Sequence, residues 1–275
     1  MVSTIRATLF FVAIFALPIT TVRAENETLL EALSEIAESD HRSAENRARN
    51  GVRHPAATLV FFGIRDDMTA VEITPGGGWY TEILAPFLRD TGKLYAANYD
   101  PESENEYFRS NANRLLEKFK ADPAIYGQVI ATVFVPPAKL EAAPPGTADM
   151  VLTFRNLHNW MEQGNEAAAF AAMNTVLKPG GTLGIVQHRQ DTIVEQDPKA
   201  ESGYVREDYV IALAEAAGFE LVARSEINAN PKDTRDHPEG VWTLPPNYDL
   251  GDVDRDKYLA IGESDRMTLK FVKKP

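Results

Sequence analysis

The chain is 275 residues long, carries 40 acidic and 28 basic side chains for a formal charge of −12, and has no cysteine. That excludes disulfides, thiolate zinc sites, a cysteine nucleophile and lipid attachment through cysteine. An acidic surface repels phosphate backbones, so nucleic acid is not expected as the main partner.

Residues 1–24 read as an export signal: Arg6, an apolar stretch from Leu9 to Leu17, then a small-residue cleavage site at Val22-Arg23-Ala24. The alternative, an uncleaved anchor, needs a longer apolar run than this one. Cleavage would remove Arg6 and Arg23 and no acid, taking the charge from −12 to −14. No later apolar run approaches membrane-spanning length. The expectation is therefore an exported protein, periplasmic or secreted, without a membrane span. Its oligomeric state is not legible.

Residues 25–67 form an expected N-terminal helical segment. Leu29, Leu30, Leu33 and Ile36 recur at helical spacing, and Pro55 suits a helix start before the apolar run Ala56 to Ile64. Between them lie Asp40, His41, Arg42 and Arg53, either a solvated surface or a cap over a ligand. From Met68 the pattern changes. Strands are expected at Thr69–Thr74, Lys93–Tyr99, Val129–Val135, Met150–Phe154, Thr182–Gln187, Glu220–Glu226 and Met267–Val272. Helices are expected at Tyr80–Leu88, Glu104–Lys120, Glu166–Leu177 and Tyr204–Ala217. Alternation of nearly continuous apolar strands with helices predicts an α/β domain over residues 68–275, with a mostly parallel sheet sandwiched by helices. Residues 228–264 have no periodicity and contain Pro-Glu-Gly and Leu-Pro-Pro. They are expected to be one long structureless loop, either a lid over a binding site or an insertion on the sheet edge.

The sharpest local signal is Val71-Glu72-Ile73-Thr74-Pro75-Gly76-Gly77-Gly78-Trp79-Tyr80. An apolar strand carries an acid near its end, bends through glycines and enters a helix, which lets main chain approach a ligand. No Gly-Lys-Ser/Thr follows, against a P-loop phosphotransferase. This segment resembles the class I S-adenosylmethionine-dependent methyltransferases, in which the first strand and loop read acid-x-Gly-x-Gly-x-Gly. Glu72, Gly76 and Gly78 match, Thr74 replaces the first glycine, and Gly77 is extra. Val176-Leu177-Lys178-Pro179-Gly180-Gly181-Thr182-Leu183 is similar to the family's turn before its fifth strand, with glycines ending a helix. The resemblance covers most of residues 68–273 and implies a Rossmann-like seven-stranded sheet with an N-terminal helical cap. It also implies S-adenosyl-L-methionine as cofactor. Glu72, Thr74, Gly76, Gly77 and Gly78 would hold its amino-acid half. In the family an acid ending the second strand holds the ribose; here Asn98 is aligned, and Asp100, two residues on and on the same strand face, is the alternative.

The fourth strand ends in Arg155-Asn156-Leu157-His158-Asn159-Trp160, at the strand edge where open parallel sheets bind ligands. This segment is similar to one in small-molecule O-methyltransferases. It implies His158 as the base that takes the acceptor's proton, with Asn156 and Arg155 orienting the acceptor. His188 is the runner-up base. Asp252-Val253-Asp254-Arg255-Asp256 alternates acids as a calcium loop does, but Lys257 stands where that loop needs glycine, so no metal is expected. A serine-hydrolase elbow is also lacking. A block around Trp242-Thr243-Leu244-Pro245-Pro246 resembles a family of exported methyltransferases. Two functions stay open: methyl transfer to a small-molecule or peptide acceptor, or an exported, non-catalytic ligand-binding protein on the same scaffold.

Overall fold

A computed structural model describes residues 19–275, with side chains from Ala24 onward. The expected export signal therefore lies outside the described residues, apart from the start of the first helix. Among the described residues no helix is long and apolar enough to cross a membrane.

The chain opens with helices α1 (Ile19–Glu38), α2 (Ala44–Ala48), α3 (Asn50–Arg53) and α4 (Pro55–Phe62). Pro55 does start a helix, where its missing N–H costs no bond. Strand β1 (Thr69–Ile73) then leads through α5 (Thr81–Leu88) to β2 (Lys93–Asn98), and α6 (Glu106–Ala121) with α7 (Pro123–Tyr126) leads to β3 (Ile130–Val133). Next come β4 (Ala148–Phe154), α8 (Leu157–Glu162), α9 (Glu166–Val176) and β5 (Leu177–Gln190). The chain ends with β6 (Val205–Arg206), α10 (Glu207–Ala216), β7 (Phe219–Ser225), α11 (Arg255–Ile261) and β8 (Arg266–Lys273).

Seven strands run in the order β3-β2-β1-β4-β5-β8-β7, and the two-residue β6 pairs with β5 off that path. All pairings are parallel except those of β8, which runs antiparallel to both neighbours. The strand order reverses at β1 and β4, the switch point at which open α/β sheets form a ligand crevice. One sheet face is covered by α9, α10 and Phe134, around fully buried Val71, Val151, Phe170 and Leu183. The other is covered by the N-terminal helices and α5, where Leu33, Leu59 and Phe62 meet Ala70, Met150 and Leu152. Burying each such leucine or phenylalanine is worth about 1.5–3 kcal/mol. The N-terminal helices thus form one layer of the fold.

Two expectations are corrected. Helix α9 does not run on to a glycine stop: Leu177 is already extended at ψ 142°, and Lys178–Gly181 belong to β5. The positive φ of Gly180, 75°, falls beside the register shift between Ala148 and Met150, so these glycines serve an irregular strand start. Residues 228–264 are not structureless either. They contain a 3₁₀ turn at Gly240–Thr243 and helix α11, and they bury Val241, Thr243, Leu244 and Tyr258. Their anchor is Asp233, which accepts from the Tyr204 hydroxyl at 2.9 Å, His237 Nε2 at 2.8 Å and the Asp265 backbone N–H at 2.7 Å. Asp265 in turn accepts from Arg189 and Arg235. Local hydrophobic periodicity carries no trace of such a polar knot.

Candidate ligand site at the carboxyl edge of the sheet

Strand β1 ends in a bend whose geometry follows from its residues. Thr74 has φ 50°, a left-handed conformation unfavourable for a β-branched residue, and Gly76 and Gly78 have φ 57° and 81°. Thr74 is held there by its N–H bond to the Ala97 carbonyl at 2.7 Å. The Asn156 side chain adds a bond to the Ile73 carbonyl at 2.8 Å. A Cβ added at Gly76 or Gly77 would meet nothing within 4 Å, so main chain faces open space there. One at Gly78 would meet Leu115 Cδ1 at 2.7 Å.

This bend forms a wall of two cavities. The larger, about 440 Å³, reaches from Thr74–Gly77 past Asn156, His158 and His188 to Trp242, Pro245 and Pro246 of the 228–264 segment. The smaller, about 290 Å³, lies on the β2–β3 side and is bounded by Tyr99, Phe108, Val135 and Pro136, with Asp100 at its edge. Thr74, Tyr99, Tyr107, Asn156 and Asn159 line both. The structure therefore gathers Thr74, Gly76, Gly77, Asp100, Asn156 and His158 around one divided crevice.

Three predicted site residues stand behind its wall. Glu72 is buried, lines neither cavity and accepts from the Thr81 hydroxyl at 2.6 Å; burial pushes its carboxyl up to about 7. Gly78 is packed on Leu115. Asn98 donates to the Gly76 carbonyl at 3.3 Å, and its own side-chain oxygen is buried without a partner. These residues line neither cavity and shape the bend from within. Asp100 accepts from Lys139 and from the Glu102 backbone N–H, and both bonds hold it below the usual carboxylate range.

His158 is the second residue of α8, an element the sequence pattern did not reveal. Its ring lies 5.5 Å from that of His188 and 5.7 Å from that of Trp242, centroid to centroid. Gln187 Nε2 sits 3.1 Å from the Gly203 carbonyl and 3.2 Å from His158 Nδ1. The carbonyl can only accept, which fixes the amide orientation, so His158 Nδ1 must accept the amide's other hydrogen. The neutral ring then carries its proton on Nε2. Burial, reinforced by the Arg155 charge, pushes its pKa down to about 4. The expected proton acceptor is, at rest, a neutral donor, and the runner-up His188 is also held neutral by burial while pairing with the Ser264 hydroxyl at 2.5 Å.

Sequence reasoning missed most of the polar wall of the larger cavity. Arg49 and Arg53 approach Glu263 at 2.7 and 2.9 Å, and Arg266 approaches it at 3.2 Å. Burial alone would raise the Glu263 pKa, but the three guanidinium groups outweigh it and hold the carboxyl down at about 2. Glu263 is thus an arginine partner. Arg53 also lies 4.9 Å from the centre of the Trp79 ring. The available signal was a basic cluster before β1 in an acidic chain, with an acid more than two hundred residues away that no spacing rule links to it.

Comparison of the sequence with protein-family models and with curated proteins gives no match. Solved structures do match. A SAM-dependent methyltransferase from Aquifex aeolicus is 16% identical, with 88% of this chain and 97% of that one covered at a TM-score of 0.54. The [4+2]-cyclase SpnF is 14% identical, with 92% and 95% covered and a TM-score of 0.54. Phosphoethanolamine N-methyltransferase 2 of Haemonchus contortus, solved with S-adenosyl-L-methionine, is 14% identical, with 89% and 60% covered and a TM-score of 0.52. The fold of this chain is that of the class I methyltransferases.

Proposed function

We propose that the protein is an S-adenosylmethionine-dependent methyltransferase acting on a small-molecule or peptide acceptor. The observation that carries this reading is the bend Thr74–Gly77 at the switch point of the sheet, where the main chain of Gly76 and Gly77 opens onto the larger cavity and Thr74 also lines the smaller. The cofactor, when bound, supplies an electrophilic methyl group. The Thr74–Gly77 main chain would hold its amino-acid half and Asp100, already ordered by Lys139, its ribose. The smaller cavity, apolar and aromatic along Tyr99, Phe108, Val135 and Pro136, suits a purine. Glu72, Gly78 and Asn98 keep the bend in shape, and Asn156 ties it to β4. The acceptor would enter the larger cavity beneath Trp242, where His158 Nε2–H orients it as a donor. That role suits an acceptor arriving with its reacting lone pair already free.

The test is calorimetry with S-adenosylmethionine and S-adenosylhomocysteine. Binding of both, weakened at least tenfold by Asp100→Ala with the fold intact, is the expected result. No binding by a folded protein would overturn the reading.

A second reading has observations of its own. Asn98 stands where the family has a ribose-binding acid, and a cyclase shares the fold. A non-catalytic binding protein would retain the crevice, take up another ligand and show no methyl transfer to any acceptor. Fold alone does not choose between the two.

A further inference from the structure

The larger cavity has an electrical imbalance that folding does not account for. Four guanidinium groups, those of Arg49, Arg53, Arg155 and Arg266, meet around the single carboxylate of Glu263. Arg155 makes no side-chain hydrogen bond or ion pair with any described residue, although it lines the cavity. Its backbone is held at φ 63°, left-handed and unfavourable for an arginine, at the mouth of β4. Nearby, Arg49 Nη2 is buried with no acceptor. Of the other titratable groups around this spot, His158, His188 and Tyr80 are neutral, and Asp265, which also acts on Arg266, is already paired with Arg189 and Arg235. Burial and the neighbouring Arg266 push the Arg155 pKa down to about 10, so it still carries its charge at neutral pH. In a chain of net charge −12, a knot of cations with one anion is not a consequence of composition. Unpaired buried charges are costly, and natural folds normally neutralise them or use them.

We infer that the acceptor carries an anionic group, a carboxylate or a phosphoryl group, which docks between Arg155, Arg49 and Arg53. The inference rests on the methyltransferase reading of the crevice. A guanidinium presents paired N–H donors that match the oxygens of either anion. The cluster lies on the β4–β5–β8 side of the glycine bend, and the apolar cavity suited to a purine lies on the opposite, β2–β3 side. A carboxylate on the cofactor's own amino-acid half has the same chemistry, so the experiment must separate the two sources.

Binding of inorganic phosphate, S-adenosylhomocysteine and 5′-methylthioadenosine, which lacks the amino-acid carboxylate, is measured by calorimetry on the full chain and on Arg155→Gln, Arg155→Lys and Arg49→Gln. Phosphate should bind the wild type saturated with S-adenosylhomocysteine. Arg155→Gln and Arg49→Gln should each weaken it at least tenfold, Arg155→Lys less, with S-adenosylhomocysteine affinity within twofold of wild type. Arg155→Gln should also raise the melting temperature of the unliganded protein, because it relieves repulsion; a merely structural arginine would lower it. A tenfold loss of S-adenosylhomocysteine affinity beside unchanged 5′-methylthioadenosine affinity would place the anion on the cofactor and overturn the inference. Failure of phosphate to bind while S-adenosylhomocysteine binds would overturn it alone. Failure of S-adenosylhomocysteine to bind the wild type would overturn the functional reading and, with it, the assignment to an acceptor.

Discussion

Gln187 Nε2 stands 3.2 Å from His158 Nδ1, and this contact decides which ring nitrogen of the histidine holds the proton. The Gly203 carbonyl, 3.1 Å from the same amide nitrogen, keeps the amide from turning over. Nitrogen NMR of labelled protein at pH 7 should show His158 neutral with its proton on Nε2. Gln187→Leu should release the ring to a mixture of tautomers. It should also destabilise the fold by about 1–3 kcal/mol, because the Gly203 carbonyl and His158 Nδ1 lose their buried partner. A spectrum with the proton on Nδ1 would restore the reading of His158 as a resting base.

Gly77 and Gly78 are adjacent but should respond differently to an added methyl group. A Cβ at Gly77 meets open space, whereas one at Gly78 meets Leu115 at 2.7 Å on a backbone with φ 81°. Gly78→Ala should cost about 1–3 kcal/mol in denaturant melts through strain and overpacking. Gly77→Ala should change stability by less than about 0.5 kcal/mol. Its expected effect is on S-adenosylhomocysteine, at least a tenfold loss of affinity. Equal affinity in Gly77→Ala and wild type would place the ligand elsewhere.

Glu72 and His158 should load stability with opposite pH slopes. The folded Glu72 carboxyl titrates at about 7 against an ordinary 4.5, mainly because it is buried. Its contribution is therefore full below 4.5 and is lost as pH rises through about 7. His158 is depressed from 6.5 to about 4, so its contribution is full above 6.5 and is lost as pH falls toward 4. Glu72→Gln should be more stable than wild type at pH 8 and lose that advantage by pH 4.5. The difference between those two conditions should be about 3 kcal/mol. Urea melts at both pH values check this, and an offset independent of pH would mean that the carboxyl is not held up.

Asp233 fastens the lid by accepting from Tyr204, His237 and the Asp265 backbone. Asp233→Ala should leave those donors buried and unpaired, at a cost of about 3 kcal/mol or more. Hydrogen exchange should accelerate across residues 228–264, with the β1–β4 centre of the sheet least affected. Uniform acceleration throughout the chain would show that the lid does not open as a separate unit.

How much of this was readable in advance depends on the range of the interactions. Strands β1, β2, β3, β4, β5, β7 and β8 announced themselves because their apolar residues are consecutive and punctuated by turns. The bend at Thr74–Gly78 was visible because positive φ favours glycine. Helix α8 was hidden in Leu157–Glu162, six residues whose first turn also had to be read as a strand end. Glu72 and Asn98 stood out by position, but their place beneath the bend was not legible, since no spacing rule tells whether a strand-end side chain points to the crevice or beneath it. The partnerships of Arg49, Arg53 and Arg266 with Glu263, and of Tyr204 with Asp233, join segments that meet only after the sheet has formed.

Helix α1 shows how much of the N-terminal segment the sheet needs. Among the described side chains its sheet-facing contacts are made by Leu29, Leu33, Ile36 and Ala37, beyond Ala24. A polypeptide beginning at Glu25 would keep every one of these anchors, with that sheet face still sheltered. A recombinant form starting at Glu25 should therefore keep the packing of this helix on the sheet, which thermal melting checks.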